Sequence, residues 1–171
     1  TQIFDLAGEK IRKNSSFCSF FSRMRRGYLY TTALEQGYNK IALGHHLDDA
    51  MESYFMNLFY NGTMRTMPPI YKANNGLEVI RPLIFCRERQ LRAFADSNEI
   101  RVIGDEACPG LRFDVKMPHA RATTKELLAK LEEQNPKIFV SMKAAFSNIQ
   151  LPTFFYNNLK DIKLNIEDET I

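Results

Sequence analysis

Tryptophan is missing from the 171 residues, and cysteine occurs three times, at Cys18, Cys86 and Cys108. An odd number of thiols at wide spacing argues against a disulfide scaffold and leaves free thiols, metal ligation or sulfur chemistry. No apolar run approaches the ~20 residues that span a bilayer, and no h-region follows a basic start. No membrane association is therefore expected, and the expected compartment is cytoplasmic. Eight glycines include no Gly-Gly pair, and there is neither an internal repeat nor a low-complexity tract. Charge of one sign is scarce as well: 23 Lys and Arg against 20 Asp and Glu leave +3, too little to name nucleic acid as a partner without looking at its distribution. The chain begins at Thr1 rather than Met, as expected of a fragment or a processed product. What remains is ordinary globular composition, 44% hydrophobic and 25% charged, enough for one domain or most of one with a sizeable core.

The charge is unevenly placed. Lys10, Arg12, Lys13, Arg23, Arg25 and Arg26 lie in a stretch with no Asp or Glu, so the N-terminal segment is an electropositive patch. Met24, Leu29, Thr32 and Ala33 recur at helical spacing over residues 22–36, and Gly37 ends that helix. Lys40-Ile41-Ala42-Leu43-Gly44 is a short apolar run of the kind that forms a buried parallel strand. After a polar turn, residues 50–60 form an amphipathic helix with Met51, Tyr54, Phe55, Leu58 and Phe59 on one face. Pro68-Pro69 excludes helix, and Asn74-Asn75-Gly76 reads as a turn between an irregular loop and a strand at residues 77–80. Residues 87–97 return to helical spacing with Leu91, Phe94 and Ala95 inward, and residues 101–103 are a further candidate strand. Thr124 suits the cap of a helix running to about Glu133, and Pro136 suits the first turn of another carrying Ile138, Phe139, Met142 and Phe146. The apolar face of that last helix serves either the core or a contact in a homodimer. Strands alternating with helices predict an α/β fold with a partial parallel sheet, followed by a helical C-terminal segment.

The segment with most chemistry is Gly44-His45-His46-Leu47-Asp48-Asp49-Ala50-Met51-Glu52, which crowds two imidazoles and three carboxylates at the C-terminal end of a predicted strand. Open α/β sheets bind ligands there. Asp48 and Asp49 suit Mg²⁺, and a neutral His45 or His46 suits a phosphate or the role of a base. The same carboxylates also suit a helix N-terminus, where they complement the dipole, and the His pair suits ordinary surface polarity. Adjacent histidines do not have the spacing of a zinc site on one helical face. Arg23, Arg25 and Arg26, interleaved with Phe17, Phe20, Phe21, Tyr28 and Tyr30, fit an RNA loop with splayed bases or, equally, a helix with a solvated basic face.

Five ordered blocks carry a family likeness: Ser22-Arg23-Met24-Arg25-Arg26-Gly27-Tyr28-Leu29-Tyr30, then Lys40 through His46 with Asp48-Asp49, then Met67-Pro68-Pro69, Ile80-Arg81-Pro82-Leu83 and Cys86-Arg87-Glu88. Together they resemble the tRNA-cytidine 2-sulfurtransferase branch of the PP-loop ATPases. The resemblance implies a Rossmann-like adenine nucleotide α-hydrolase fold, with ATP and Mg²⁺ at Gly44, His45, His46, Asp48 and Asp49 and tRNA at Arg23, Arg25 and Arg26. It implies Asp48, Cys18 and Cys108 as catalytic residues in an enzyme that adenylates C2 of an anticodon-loop cytidine and replaces oxygen with sulfur from a sulfur donor protein. On that basis residues 1–104 are the C-terminal part of the ATPase domain, residues 105–150 a cysteine loop and helical segment, and residues 151–171 a peripheral tail.

The sequence departs from that family twice. The Ser-Gly-Gly-x-Asp-Ser phosphate loop is not among these residues, so the chain alone is expected to bind ATP poorly and to be inactive. Where the family has Cys-x-x-Cys, this chain reads Cys18-Ser19-Phe20-Phe21, so Cys18 and Cys108 lack the third thiolate of an iron–sulfur cradle. Three outcomes stay open: Cys86 or an outside ligand completes the cluster, the cluster is absent, or Cys18 and Cys108 carry sulfur as persulfide and disulfide. Arginines near Cys18 favour the thiolate that such transfer needs. Lys116, His119, Arg121, Lys125 and Lys130 are expected to extend the positive surface towards the tRNA stem. Two other readings remain, a lysidine-synthase-like ligase of the same superfamily and a non-catalytic RNA-binding fragment.

Overall fold

A computed structural model describes residues 17–102 and 119–153. Cys108, Lys116 and the last part of the tail lie outside the described residues, as do the side chains of Cys18 and His119. Helix α1 spans Phe17–Glu35, five residues earlier than the apolar spacing predicts. It ends where Gly37, at φ 77°, lets the Gly37 and Tyr38 N–H groups turn back to the carbonyls of Leu34 and Ala33 at 2.9 and 2.8 Å. Those bonds satisfy carbonyls that the helix leaves open, and the left-handed conformation favours glycine.

Strand β1 (Lys40–Ala42) follows, then α2 (Leu47–Tyr60), β2 (Ile70–Lys72), β3 (Glu78–Ile80) and α3 (Glu88–Ser97). Helix α4 (His119–Gln134), α5 (Ile138–Ala145) and a short 3₁₀ turn at Leu151–Thr153 complete the described chain. The sheet order is β1-β3-β2, with β1 parallel to β3 and β2 antiparallel to it. The parallel pair agrees with the α/β expectation. Strand β2 was expected to be irregular loop. Instead it forms directly after Pro69, and the Ala73–Gly76 turn, with Gly76 at φ 88°, folds it back on β3.

The core lies between α2 and the C-terminal helices. Leu47, Met51, Leu128 and Phe139 are buried together, with Phe55, Ile138, Met142 and Phe146 packed against them. The apolar face of α5 therefore fills the core of this chain. On the sheet side Leu77 and Val79 are fully buried. Two expectations, an inward Phe94 and a capping Thr124, are corrected. Phe94 is 60% exposed. Thr124 is no cap: α4 begins at His119, and the buried Thr124 donates its hydroxyl to the Ala120 carbonyl at 2.7 Å, the back-bonding open to threonine inside a helix.

Candidate functional site

The four residues after Ala42 carry the chain from β1 into α2. Gly44 is exposed, and His46 is the N-cap of α2. The His46 N–H donates to Asp49 Oδ2 at 3.1 Å, and the Asp49 N–H donates to His46 Nδ1 at 3.4 Å. This reciprocal cap satisfies two donors that a helix start leaves open. The Leu47 N–H donates to the Cys86 carbonyl at 2.9 Å, so the Cys86-Arg87-Glu88 block is tied by its backbone to the start of α2. Cys86 itself is a free, half-buried thiol.

Asp48 points at that block. It accepts the Glu88 N–H at 2.7 Å and Arg87 Nε at 3.2 Å to each oxygen. Arg87 turns its other two nitrogens to Glu132 at 2.6 and 2.8 Å and lies over the Phe139 ring, 3.4 Å from its centroid. The Glu132 hydrogen bond outweighs burial and raises the Arg87 pKa further, while Arg87 holds the Glu132 carboxyl below its ordinary value. One guanidinium thereby joins α2, the start of α3, α4 and α5. Sequence reading had not linked Arg87 to Asp48, although the Cys-Arg-Glu block was visible.

Beside this knot is a cleft of about 250 Å³ lined by His46, Asp49, Glu52, Glu88, Arg121 and Lys125. Arg121 donates to the buried Glu52 at 2.8 Å and to Asp49 at 3.3 Å, and Lys125 donates to Glu88 at 3.1 Å. Arg121 and Lys125 are thus balanced by carboxylates, which corrects the expectation that they extend a positive surface. Glu88 is held below its ordinary pKa by Lys125, and Lys125 is held above its own by Glu88. His45 carries a buried Nδ1 with no partner among the described residues. Burial first, then Arg81, lowers its pKa, so the ring is neutral at physiological pH.

His46, the carboxylates of Asp49, Glu52 and Glu88, and the cations Arg121 and Lys125 around one cleft suit a metal-bound phosphate. Mg²⁺ commonly takes one or two carboxylates and completes its shell with phosphates and water. Asp49 is at the cleft, with Oδ2 held by the His46 N–H and Oδ1 facing only the half-exposed Arg121, and it fits that role through Oδ1. No group of three or more His, Cys, Asp or Glu among the described residues is arranged to hold a metal by itself.

On the other flank Arg23, Arg25 and Arg26 are exposed on α1, and none has a carboxylate partner among the described residues. Helix α1 is in contact with β1, the strand that leads into the histidine tract. The backbone of Cys18 lies in the first turn of α1, one turn ahead of the half-buried Phe21.

Three comparisons bear on this geometry. A PP-loop domain model matches residues 11–116. The chain is 42% identical over 152 residues to a tRNA-cytidine(32) 2-sulfurtransferase of Geobacter metallireducens, covering 88% of this chain and 57% of that protein. It is 39% identical to the Coxiella burnetii protein of the same name, covering 86% and 56%, and 38% identical to that of Histophilus somni, covering 94% and 50%. The chain spans little more than half the length of these relatives. Among solved structures, the U34-tRNA thiolase NcsA from Methanococcus maripaludis with its [4Fe-4S] cluster superposes with a TM-score of 0.67 at 20% identity, covering 95% of this chain and 53% of that one. At that identity the likeness shows the fold. Among the described residues no helix is long and apolar enough to cross a membrane.

Proposed function

Because the chain belongs to the PP-loop domain family, we propose that it is part of an ATP-dependent tRNA thiolation enzyme acting on an anticodon-loop cytidine. The observation that carries this reading is the placement of the His45–Asp49 tract directly after parallel strand β1, with His46 and Asp49 lining a cleft and the exposed arginines on a helix in contact with β1. In this reading Gly44, His45, His46 and Asp49 face ATP and Mg²⁺, while Asp48 is turned to Arg87 and the Glu88 N–H. Asp49 offers the metal a carboxylate, His45 offers the phosphates a neutral ring nitrogen, and Asp48, fixed by Arg87, keeps the start of α2 in register. ATP supplies the activation of the cytidine O2 that makes it a leaving group.

Arg23, Arg25 and Arg26 take the tRNA backbone, since guanidinium groups pair with phosphate at two points. Cys18 and Cys108 pass sulfur received from a donor protein. Phe21, which has no lone pair, leaves the three-cysteine cradle incomplete, so no step is assigned to a cluster. The test is mass spectrometry of nucleosides from total tRNA. Deleting the gene that encodes this chain removes 2-thiocytidine, and restoring it with Asp49→Asn fails to return the nucleoside, whereas unchanged 2-thiocytidine after deletion refutes the assignment.

A further inference from the structure

A second cleft, of about 450 Å³, opens between α1 and the β2–β3 turn. Its lining is Tyr30, Tyr71, Lys72, Ala73, Asn74 and Asn75, with no carboxylate among them. We propose that this cleft takes an unpaired base of single-stranded RNA, whose phosphates run along Arg23 and Arg26 of α1. The proposal rests on the tRNA reading above and deepens it by naming a base site.

The placement follows from helix geometry. Arg23, Arg26 and Tyr30 stand at i, i+3 and i+7, so they share one face of α1 and lead from the basic end of the helix to the cleft. Tyr30 meets Tyr71 across the cleft, hydroxyl to hydroxyl at 2.8 Å. Burial first, then the Tyr71 hydrogen bond, pushes the Tyr30 pKa up to about 12, which keeps the phenol neutral beside a phosphate. Tyr71 is backed by Arg81, whose guanidinium lies 5.2 Å from the ring centroid and is itself held by the Pro68 carbonyl at 2.6 Å. Two tyrosines fixed in this way form a rigid platform, and every base has a face to stack on it.

The turn supplies polar groups of the right kind. Asn75 Oδ1 is used within the turn, accepting the Leu77 N–H at 3.2 Å. Asn74 is exposed, and its carboxamide has no partner among the described residues, leaving a donor and an acceptor for a base edge. Lys72 stands opposite Glu78 in the β2–β3 register, but Glu78 is paired with Lys40, so the Lys72 charge is left for phosphate. A paired helix would present no splayed base to this cleft. An RNA loop would.

The test compares a labelled RNA stem-loop with a fully paired RNA duplex, each titrated into the purified chain. Tyr71→Leu weakens stem-loop binding roughly tenfold, the loss expected for one stacked base, and Asn74→Ala weakens it less; neither changes duplex binding. Asn74 sits on an exposed turn, so its variant decides the matter should Tyr71→Leu fail to fold by circular dichroism. Arg23→Gln with Arg26→Gln weakens both RNAs and flattens the salt dependence. If both cleft variants bind the stem-loop like the parent while the arginine variant does not, the base site is wrong and the tRNA reading stands. If the parent binds neither RNA, both are wrong.

Discussion

Arg87 and Glu132 meet at two points, 2.6 and 2.8 Å apart, across 45 residues of sequence. The same guanidinium holds Asp48, so a single side chain links the start of α2 to the helices that cover it. Both partners are largely buried, and removing the cation leaves Asp48 with only the Glu88 N–H and Glu132 with only the exposed Arg89 in a poorly solvated place. Arg87→Ala is expected to cost about 3 kcal/mol in urea denaturation, the lower end for breaking a buried pair. Arg87→Lys recovers little of it, because an ammonium cannot reproduce the planar fork. A loss near zero for Arg87→Ala would show that the knot contributes nothing to the fold.

Acid acts on the same pairs. Glu132 and Glu88 titrate below the ordinary 4.5 in the folded chain, through Arg87 and Lys125 respectively. Their stabilisation is fully present above that ordinary value and fades as pH falls through the lower folded values. Thermal unfolding followed from pH 6 downwards should therefore show Tm falling below about 4.5, and Lys125→Met should reduce that slope. Glu88 and Lys125 are partly exposed, so screening keeps the Lys125 contribution small.

His45 produces a second window. Its folded pKa lies below the ordinary 6.5 because burial and Arg81 disfavour the charged ring. The unfolded chain binds the proton more readily, so stability falls as pH drops from 6.5 towards the folded value. His45→Gln should remove this slope without touching the carboxylate window. An unchanged pH profile between 7 and 5 would mean that His45 titrates alike in both states.

The same contrast between near and far contacts governs what could be read from the sequence. Strand β1 and the His-Asp tract were legible because an apolar run ending in Gly44 and a reciprocal His46–Asp49 cap are local patterns. Strand β2 was not, since three residues after Pro69 are too few for alternation to show, and its pairing depends on β3. Thr124 resembled a cap because it precedes Lys-Glu-Leu-Leu, yet the helix had already begun five residues earlier. Phe94 looked inward by spacing, but α3 covers less of the core than its pattern suggests, and that ring stays in solvent. Asp48 looked like a free acid at a strand end. Its partners are 39 and 40 residues away, a distance at which no spacing rule operates.

ATP binding separates the cleft from a complete nucleotide site. A triphosphate cradle needs backbone N–H groups converging on the anion, and these 171 residues contain no Gly-Gly loop to provide them. Calorimetric titration of the chain with Mg²⁺–ATP should give weak binding that Asp49→Asn weakens further. Tight, Mg²⁺-dependent binding by the parent chain would mean that the His45–Asp49 tract suffices and that the missing loop is dispensable.

Phe21 decides the sulfur chemistry. It stands three residues after Cys18 in the first turns of α1, at the spacing with which a Cys-x-x-Cys pair offers two thiolates to one iron. If the site is a cluster cradle short of one ligand, Phe21→Cys should raise the iron and acid-labile sulfide retained after anaerobic reconstitution. If sulfur instead travels as a persulfide on Cys18 and Cys108, the substitution leaves iron at background and Cys18→Ser abolishes the cyanide-releasable sulfur. The two outcomes exclude each other, and the iron assay alone distinguishes a repaired cradle from a thiol relay.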